Sequence, residues 1–576
     1  MYMVIAPAAP GIAPAAPGIG AASPDGQTFC LQPADATGAP SGPAAVVNLA
    51  DLPGAVRRAE QERFRWVWDT TRSSYLPMLR AGASVERCHD LTLTRNILSL
   101  SEFVPGSDYV RSLRQAAVTD DERDGLPRQV LPVPDSPDQF TLFDSPQPRG
   151  RSVQELVQEL QDQLAAVAAS SERGRLQLLV AAESAGALIA AEMEYVGVPW
   201  REDIHEQILA GFLGPRPRNG ERPIELERLA ARLRELLDNP RFNPDSAQEL
   251  LRALHRAGIE VKSTRSWELQ EHNHPAIAPL LEYKKLSRLH SANGWTWLDT
   301  WVRNGRFRPE YIVGGVVTGR WASRGGGALQ IPQQIRDAAR PDPGYKLVVA
   351  DAAQLEPRVL AALAQDSALA AAAKGKDLYQ GIADVGFSGD RAKAKVAMLG
   401  AMYGATTGES GRLVPQLTRT YPRAIGILEH AARTGEAGGI VSSYLGRSCA
   451  APSERWLQTQ RTTTAEEQRR ADSIARTRGR FTRNFIVQST AAEWALCWLA
   501  ELRRRLRAAA AEGTYVGELV FFLHDEVMLH ANADQIQLVC RMVEESAAEA
   551  TRLMFGPIPI DFAVSIAVVD SYADAK

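Results

Sequence analysis

The chain has 576 residues, with 65 lysines and arginines against 68 aspartates and glutamates, and its formal net charge is −3. This length predicts three or four structural units with ample hydrophobic core, and the balanced charge excludes a uniformly basic nucleic-acid-binding protein. The five cysteines are scattered without a CxxC pair, which argues against a disulfide framework and predicts a reducing, cytoplasmic location.

The N-terminal segment has low complexity. Residues 6–12 and 13–19 both read Ala-Pro-Ala-Ala-Pro-Gly-Ile, and the prolines and the lack of a basic start argue against a signal peptide. We therefore predict a disordered tail over residues 1–24. We find no apolar run that reaches the roughly 18 residues of a membrane span, so no membrane partner is expected.

Residues 25–180 alternate short β-rich segments with helical ones. The pattern predicts a strand over 63–68, a helix over 70–80 and a second helix over 155–167. The segment 120–150 is rich in proline, aspartate and arginine, which is typical of a loop or linker.

Helical patterns continue from residue 181 to about 300, and strands return from about 307. Lys284 and Lys285 fall near the end of the helical part, where phosphate contact and a solvated pair are equally compatible with the pattern. The segment 461–507 carries 11 arginines against 5 acids, a local excess that suits a phosphate backbone. The run 503–505 is more typical of a solvated surface.

One acidic segment follows a strand. The apolar run 346–350 ends at Asp351, and Glu356 and Arg358 follow as the chain turns into a helix. A strand that delivers an aspartate to its own end is a common way to hold a divalent metal at a sheet edge. Aspartate also breaks strands and caps helices, so this segment alone is also compatible with a purely structural role.

A second acidic segment lies at 518–530, where two β-rich runs flank His524, Asp525 and Glu526. The pattern predicts a hairpin with two adjacent acids at its tip. Because like charges at a tight turn repel each other, a nearby cation is expected. Asp351 and Asp525 on neighbouring strands would supply the hard oxygen ligands that Mg²⁺ prefers. The pair predicts a two-metal phosphoryl-transfer site.

Between these segments, Arg391, Lys395, Leu399 and Tyr403 are four residues apart. On a helix they form one slowly drifting stripe. Two cations followed by an aromatic ring suit a triphosphate with a base stacked beyond it. The alternative is a solvated basic face with the tyrosine packed in the core.

In this order, the three segments resemble motifs A, B and C of the family A DNA polymerases, the bacterial DNA polymerase I class. Two further segments resemble the family in register: Thr318-Gly319-Arg320 with Leu329-Gln330-Ile331-Pro332 before motif A, and Arg480, Asn484 and Gln488 before motif C. The resemblance covers roughly residues 185–576 and is carried by the ordered set of motifs.

The resemblance implies an α+β fold in which a right-hand polymerase of palm, fingers and thumb follows an RNase H-like 3′–5′ exonuclease-like domain. The corresponding bounds are 25–180 for the exonuclease-like domain, 181–306 for the thumb, 307–365 and 446–576 for the palm, and 366–445 for the fingers.

The resemblance also implies DNA-templated addition of deoxynucleotides to a primer 3′-OH, in replication or repair. Its partners would be primer-template DNA and deoxynucleoside triphosphates, and the expected enzyme is a monomer in the cytoplasm, associated with the nucleoid. Two Mg²⁺ ions, for which Mn²⁺ can substitute, would be held by Asp351 and Asp525 with support from Glu526.

By the same resemblance, Arg391 and Lys395 hold the triphosphate, and Lys395 can protonate the departing pyrophosphate. Tyr403 stacks at the templating position, and Glu356 is the steric gate that excludes a ribose 2′-OH. The remaining implied contacts are Gln354, Leu399 and His524 with the nucleotide or the primer end, and Arg320, Gln330, Arg480, Asn484, Gln488, Lys284 and Lys285 with DNA.

The exonuclease-like part lacks most of the expected carboxylates. Asp69 matches an acid of the second exonuclease motif, and Asp90 matches the residue that opens the next helix. No Asp-x-Glu lies on the β-rich run 28–31, and no Tyr is followed four residues later by Asp in the first 200 residues. With one ligand of four, a metal pair would not be held, so we predict a degenerate, structural domain.

The polymerase part departs from the family at three places. Ala352 and Ala353 replace an aromatic and a small polar residue, and Pro357 follows the gate residue. Leu399 stands where the family carries Phe or Tyr, and Tyr379 replaces a nearby His. Loss of the aromatic wall removes stacking worth about 1 kcal/mol.

Two other functions are compatible with parts of the pattern. A catalytically weakened DNA-binding relative would keep the fold as a scaffold. A single-subunit RNA polymerase shares the palm motifs, but Glu356 argues against it because a ribonucleotide needs no such gate.

Overall fold

A computed structural model describes residues 1–8, 28–104, 106–115, 150–218, 220–324, 331–375, 377–405 and 408–575. The chain divides into two compact units. The first contains Met1–Tyr195, Tyr311–Ser323 and Val348–Ala567, and the second contains Val196–Glu310, Arg324–Leu347 and Val568–Lys576.

The strands are, in chain order, β1 (Tyr2–Pro7), β2 (Thr28–Ala34), β3 (Ala45–Asn48), β4 (Arg65–Trp68), β5 (Cys88–Asp90), β6 (Val198–Pro199), β7 (Val302–Arg303), β8 (Arg306–Phe307), β9 (Glu310–Ile312), β10 (Ala322–Arg324), β11 (Tyr345–Ala352), β12 (Gly517–Leu523), β13 (Glu526–Asn532) and β14 (Val564–Val569).

The main α-helices are, in chain order, α1 (Leu52–Gln61), α2 (Thr71–Arg80), α3 (Leu91–Leu100), α4 (Val153–Ala168), α5 (Arg173–Val196), α6 (Glu202–Leu213), α7 (Ile224–Leu236), α8 (Ala247–Arg256), α9 (Ser266–Gln270), α10 (Ile277–Asn293), α11 (Trp295–Trp301), α12 (Leu355–Ala364), α13 (Ser367–Ala372), α14 (Leu378–Gly386), α15 (Arg391–Tyr403), α16 (Gly408–Thr420), α17 (Pro422–Glu436), α18 (Glu454–Thr459), α19 (Ala465–Ala511) and α20 (Ile536–Phe555).

The N-terminal sheet has the order β3-β2-β1-β4-β5. β1 pairs antiparallel with β2 and parallel with β4, so the first strand of the chain lies in the middle of the sheet. The predicted disordered tail is therefore wrong for residues 2–7. Val4 and Ile5 are buried in the cores on the two faces of this sheet, and that burial outweighs the local low complexity. Residues 9–24 of the predicted tail lie outside the described residues.

Helices cover both faces of this sheet. α4 begins with a capping box in which Ser152 and Glu155 satisfy each other's backbone donors, so the helix predicted over 155–167 is confirmed. The predicted domain boundary at 180/181 is not a break, because α5 continues without interruption until Gly197, whose φ of +76° favours glycine. Most of the predicted 120–150 linker lies outside the described residues.

Helix α5 is the one helix of the described residues whose length and composition would allow it to cross a membrane. No apolar run of this length was expected from the sequence. In the structure, 72% of its most apolar window is buried inside the protein, a burial typical of a core helix.

The second sheet of the first unit has the order β12-β13-β11-β14. β12 and β13 form an antiparallel hairpin with a register irregularity between Leu519 and Phe521, which confirms the hairpin predicted over 518–530. Helices α12 to α17 are inserted between β11 and α19. The 47-residue helix α19 packs closely against α17, where the hydroxyl of Thr482 donates to the Ala431 carbonyl at 2.7 Å.

The second unit contains α6 to α11 and the small sheet β6-β8-β7. An aromatic cluster forms its core. The ring centroid of Trp297 lies 4.8 Å from that of Phe307 and 5.6 Å from that of Trp200. This burial of large rings fixes the packing of short elements that could not be stable alone.

Burial of β1 leads to a stability prediction. Ile5→Ala is expected to destabilise the protein by about 3 kcal/mol, because it removes core methylenes and leaves a cavity. The matched control Ile224→Ala removes an isoleucine that is 63% exposed. The measurement is the urea midpoint of the earliest unfolding transition, and equal midpoints for the two variants would contradict the assignment of β1.

Candidate active site

A main-chain hydrogen bond brings the two predicted metal ligands to the same place. The amide of Ala352, at the end of β11, donates to the carbonyl of Asp525 at 2.9 Å. Asp525 lies in the turn between β12 and β13, and Asp351 directly precedes Ala352 in β11. Both aspartates are partly buried. The neighbouring strands predicted from the sequence are therefore observed.

The donor set fits a magnesium site. Two carboxylates at the edge of a sheet are the ligands that Mg²⁺ usually takes from a protein, with water and substrate phosphates completing its shell. Within the described residues, no group of three or more His, Cys, Asp or Glu side chains that could hold a metal is found. Glu526 is buried at the start of β13.

His524 occupies the other position of the hairpin turn. Its φ of +57° is left-handed, a conformation that a tight two-residue turn demands and that costs a non-glycine residue energy. Partial burial lowers the pKa of His524, the cation Arg320 lowers it further, and Glu356 opposes them. The imidazole is therefore neutral at pH 7.

A cleft of about 190 Å³ opens beside Asp525. It gathers predicted residues from four separate segments of the chain. Its lining comprises Arg320, Gln354, Leu355, Glu356, Pro357, Tyr379, Leu399, Met402, Tyr403, Ala491, Ala492, His524 and Asp525.

Glu356 is held from two sides in this cleft. Arg320 forms an ion pair with one carboxylate oxygen, and the hydroxyl of Tyr403 donates to the other at 3.0 Å. Burial and the neighbouring Glu356 carboxylate raise the pKa of Tyr403, while the side chain of Gln488 opposes them. The carboxylate is thus fixed in position, and the tyrosine, which is 41% exposed, is not the core residue that the alternative interpretation required.

The other residues of the α15 stripe lie on the same exposed side of the helix. Arg391 and Lys395 are exposed and Leu399 is partly buried. The Nε of Arg391 donates to Oδ2 of Asp377 at 2.7 Å. Lys395 forms no ion pair within the described part of the chain, so its ammonium is available to an incoming anion.

The predicted DNA-contacting residues of α19 share one face of the helix. Arg480, Asn484 and Gln488 are spaced by four residues, and the Gln488 side chain interacts with Tyr403. Arg480 donates to the hydroxyl of Thr477 at 2.9 Å. The side-chain oxygen of Asn484 is buried and has no hydrogen-bond partner among the described residues.

Two predicted DNA contacts are engaged elsewhere in the second unit. The ammonium of Lys284 donates to the Thr264 carbonyl, and burial lowers the pKa of Lys284. Lys285 lies 3.8 Å from Glu282 and 5.8 Å from the ring of Phe212. Gln330 lies outside the described residues.

Sequence reasoning missed the role of Arg358, which it treated only as a cation following motif A. Its guanidinium is buried and donates to the carbonyls of Ala353 at 2.9 Å, Ala373 at 2.7 Å and Gly375 at 3.0 Å, and also to that of Asp561. One side chain therefore joins the end of motif A to two other segments. No local pattern signals this, because the acceptors are backbone groups.

Asp69, which follows β4, shares two arginines with Glu159, whereas Asp90 of β5 is buried and accepts from Thr71 and from the Leu93 amide. Asp69 accepts from Arg95 at 3.2 Å and from Arg151 at 3.0 Å. The same two arginines contact Glu159 of α4; although burial opposes ionisation, they hold the pKa of Glu159 at about 2.

Comparison with a family model finds similarity over the C-terminal three fifths of the chain. The family model "DNA polymerase family A" matches residues 221–574. Among curated relatives, the thermostable DNA polymerase I of Thermus filiformis is 25% identical over 395 residues, covering 61% of this chain and 44% of the relative. The DNA polymerase I of Chloroflexus aurantiacus is 26% identical over 355 residues, covering 56% and 35%.

A third curated relative, the DNA polymerase I of Pseudomonas aeruginosa, is 24% identical over 388 residues, covering 60% of this chain and 40% of the relative. The chain thus spans less than half the length of these relatives. A solved structure described as the POL domain of Pol1 from M. smegmatis in complex with DNA primer-template and dNTP has a TM-score of 0.68 and 18% identity, covering 95% of this chain and 93% of that chain. The likeness shows a polymerase-domain fold of mixed helices and sheets.

The contacts of Arg358 give a second stability prediction. Arg358→Met is expected to cost about 3 kcal/mol or more, because several buried carbonyls lose their donor. The control Arg419→Met removes an exposed helical arginine and should stay within about 0.5 kcal/mol. Thermal unfolding of both variants measures the difference, and a stable Arg358→Met protein would show that these carbonyls find other donors.

Proposed function

Because the chain belongs to DNA polymerase family A, we propose that it is a DNA-templated DNA polymerase that extends a primer 3′-OH by two-metal phosphoryl transfer, in DNA replication or repair. The observation that carries this proposal is the contact between β11 and the β12–β13 turn, with the cleft beside it. A strand end and a hairpin tip meet there, each bearing an aspartate, and the cleft beside them contains the ion pair between Arg320 and Glu356.

Asp351 and Asp525 are the proposed metal ligands, and Glu526 supports the site from the buried side. We propose Mg²⁺, two ions per site, with Mn²⁺ as a substitute, because hard carboxylate oxygens and substrate phosphates suit both. When bound, such ions activate the attacking 3′-OH and neutralise charge on the leaving pyrophosphate.

Positioning and charge neutralisation are the tasks left to the side chains, because in-line attack on the α-phosphate needs little covalent help. Arg391 and Lys395 would bind the triphosphate along one face of α15. The exposed ammonium of Lys395 can transfer a proton to the departing pyrophosphate. His524, neutral at pH 7, would lie beside the primer end without repelling metal ions.

Sugar selection is assigned to Glu356. Its carboxylate is held by Arg320 and Tyr403, so it cannot swing aside to admit a ribose 2′-OH. Gln354 and Leu399 would complete the nucleotide pocket. Since Leu399 offers no ring to stack on, nucleotide binding is expected to be weaker than with an aromatic residue there, by about 1 kcal/mol.

The template and the duplex would be bound by three sets of residues. Tyr403 would stack at the templating position. Four side chains would donate to acceptors in the minor groove, where every correct base pair presents acceptors in similar positions. They are Arg320 and, on α19, Arg480, Asn484 and Gln488. The buried, unsatisfied oxygen of Asn484 supports a polar partner there. Lys285, whose side chain is half exposed, and Gln330 would contact the phosphate backbone, whereas Lys284 would first have to release the Thr264 carbonyl.

For the N-terminal sheet we propose an RNase H-like, exonuclease-like domain without proofreading activity. The mixed five-stranded order with β1 at its centre supports the fold. The central strand, Tyr2–Pro7, carries no acid, and Asp69 is neutralised by two guanidinium groups. We further propose a monomer in the cytoplasm, associated with the nucleoid and without a membrane partner.

A catalytically weakened DNA-binding relative is the second candidate. Leu399 and the arginine-neutralised acids of the N-terminal domain favour it. It leaves unexplained why Asp525, Glu356 and Tyr403 line one cleft, because DNA binding alone requires no such group of residues.

Primer extension on a gapped template, with Mg²⁺ and then Mn²⁺, tests the proposed activity. We expect extension by the unmodified chain and a loss of at least about 10³-fold in Asp525→Ala, since one of two metal ligands is removed. The control Asp534→Ala removes an exposed acid nine residues away and should keep full rate. Binding of primer-template without extension would favour the DNA-binding relative.

Absence of proofreading is tested on a labelled primer with a 3′ mismatch, supplied without deoxynucleotides. We expect no shortening above the Asp69→Ala background, because the arginines hold the position that a cation would need. Metal-dependent degradation that Asp69→Ala abolishes would overturn this assignment.

A further inference from the structure

Asp377 lies at the centre of a hydrogen-bond network between motif A and the α15 helix. It caps α14, and its Oδ1 accepts from the Gln380 amide at 3.1 Å and from Nε2 of Gln354 at 3.0 Å. Its Oδ2 accepts from Nε of Arg391 at 2.7 Å. Although burial opposes ionisation, these donors, Arg391 first, lower the pKa of Asp377, so it is a carboxylate at neutral pH.

Gln354 connects this network to the metal-binding strand. It follows Asp351 by three residues and has a left-handed φ of +52°. Its side chain makes two contacts with the start of α14: besides donating to Asp377, its Oε1 accepts from the Leu378 amide at 2.8 Å. These two hydrogen bonds therefore link the backbone just after Asp351 to the carboxylate that accepts from Arg391.

The geometry at Arg391 leaves its phosphate-binding groups available. A guanidinium has five N–H donors, and Asp377 engages the one on Nε. The two Nη groups, with four donors, make no hydrogen bond within the described residues. The guanidinium also lies 5.8 Å over the ring of Tyr379, which restricts its swing from a second side. Lys395, one turn further, has no comparable support.

We propose that Asp377 is a positioning residue for nucleotide binding: it orients Arg391 so that both Nη groups face the triphosphate, and it couples this orientation to motif A through Gln354. This inference rests on the proposed polymerase function and deepens it. The ligand class is a metal-bound nucleoside triphosphate, whose oxygens suit paired Nη donors.

The test compares two helix-capping aspartates of the same region. Asp377→Asn keeps a capping oxygen but loses the carboxylate that accepts from Arg391. Asp390→Asn makes the same change at the cap of α15, where the Asp390 side chain accepts from the Lys393 amide at 3.0 Å and pairs with the Lys393 ammonium at 3.0 Å. Within the described residues, the Asp390 side chain forms no hydrogen bond or ion pair with the side chain of Arg391. We expect the KM for dATP to rise about tenfold in Asp377→Asn, the effect of one charge-assisted hydrogen bond. We expect a smaller change in kcat, and little change in Asp390→Asn.

A double-variant cycle with Arg391→Ala separates positioning from general damage. If Asp377 acts through Arg391, Asp377→Asn adds no further rise in KM once Arg391 is alanine. Additive effects, or equal effects of the two capping variants, would overturn the proposal. Should Asp377→Asn fold poorly by thermal melting, Asp377→Ser keeps a capping oxygen and takes its place in the same cycle.

Direct titration of Mg–dATP onto the complex with a dideoxy-terminated primer-template distinguishes the two levels of failure. If the unmodified chain neither extends a primer nor binds the nucleotide, the proposed function fails. If it does both and Asp377→Asn binds equally well, the positioning role alone fails.

Discussion

The arrangement of the catalytic cleft depends on one backbone hydrogen bond, from the Ala352 amide to the Asp525 carbonyl. It joins residues 173 positions apart in sequence at the point where a strand ends and a hairpin turns. Because it is formed by backbone groups, it fixes the positions of Asp351 and Asp525 independently of their own charge. The pairing of the sheet β12-β13-β11-β14 therefore holds the two aspartates on neighbouring segments through backbone hydrogen bonds.

Around this bond, arginines act as cross-links in the first unit. Arg358 fixes the turn after motif A through backbone carbonyls, and Arg447 forms a buried pair with Glu183 at 2.7 Å. Arg503 contacts the carbonyls of Val85 and Glu86. A guanidinium suits such sites because its planar set of donors can satisfy several acceptors at once. Removing one would leave buried acceptors without partners, so these residues stabilise the site without contacting a substrate.

Local patterns predicted the features that are local in sequence. The hairpin at 518–530 follows from two β-rich runs and the helix over 155–167 from its periodicity, and both are observed. β1 was missed because six residues beside a proline-rich repeat carry too little signal, although tertiary pairing places them at the centre of a sheet. The burial of Arg503 was missed because an arginine run suggests a solvated helix. Asp377 was missed because its partners Gln354 and Arg391 are 23 and 14 positions away.

The 47-residue helix α19 connects the N-terminal part of the chain to the cleft. At 1.5 Å per residue it is about 70 Å long, and Ala491 and Ala492 on its middle turns form one wall of the cleft. Its later turns are anchored through Arg503 to Glu192 and to the loop before β5. A shorter fragment without the N-terminal sheet would lose these contacts with the later turns of α19. The N-terminal sheet therefore contributes to the position of the helix that forms one wall of the cleft.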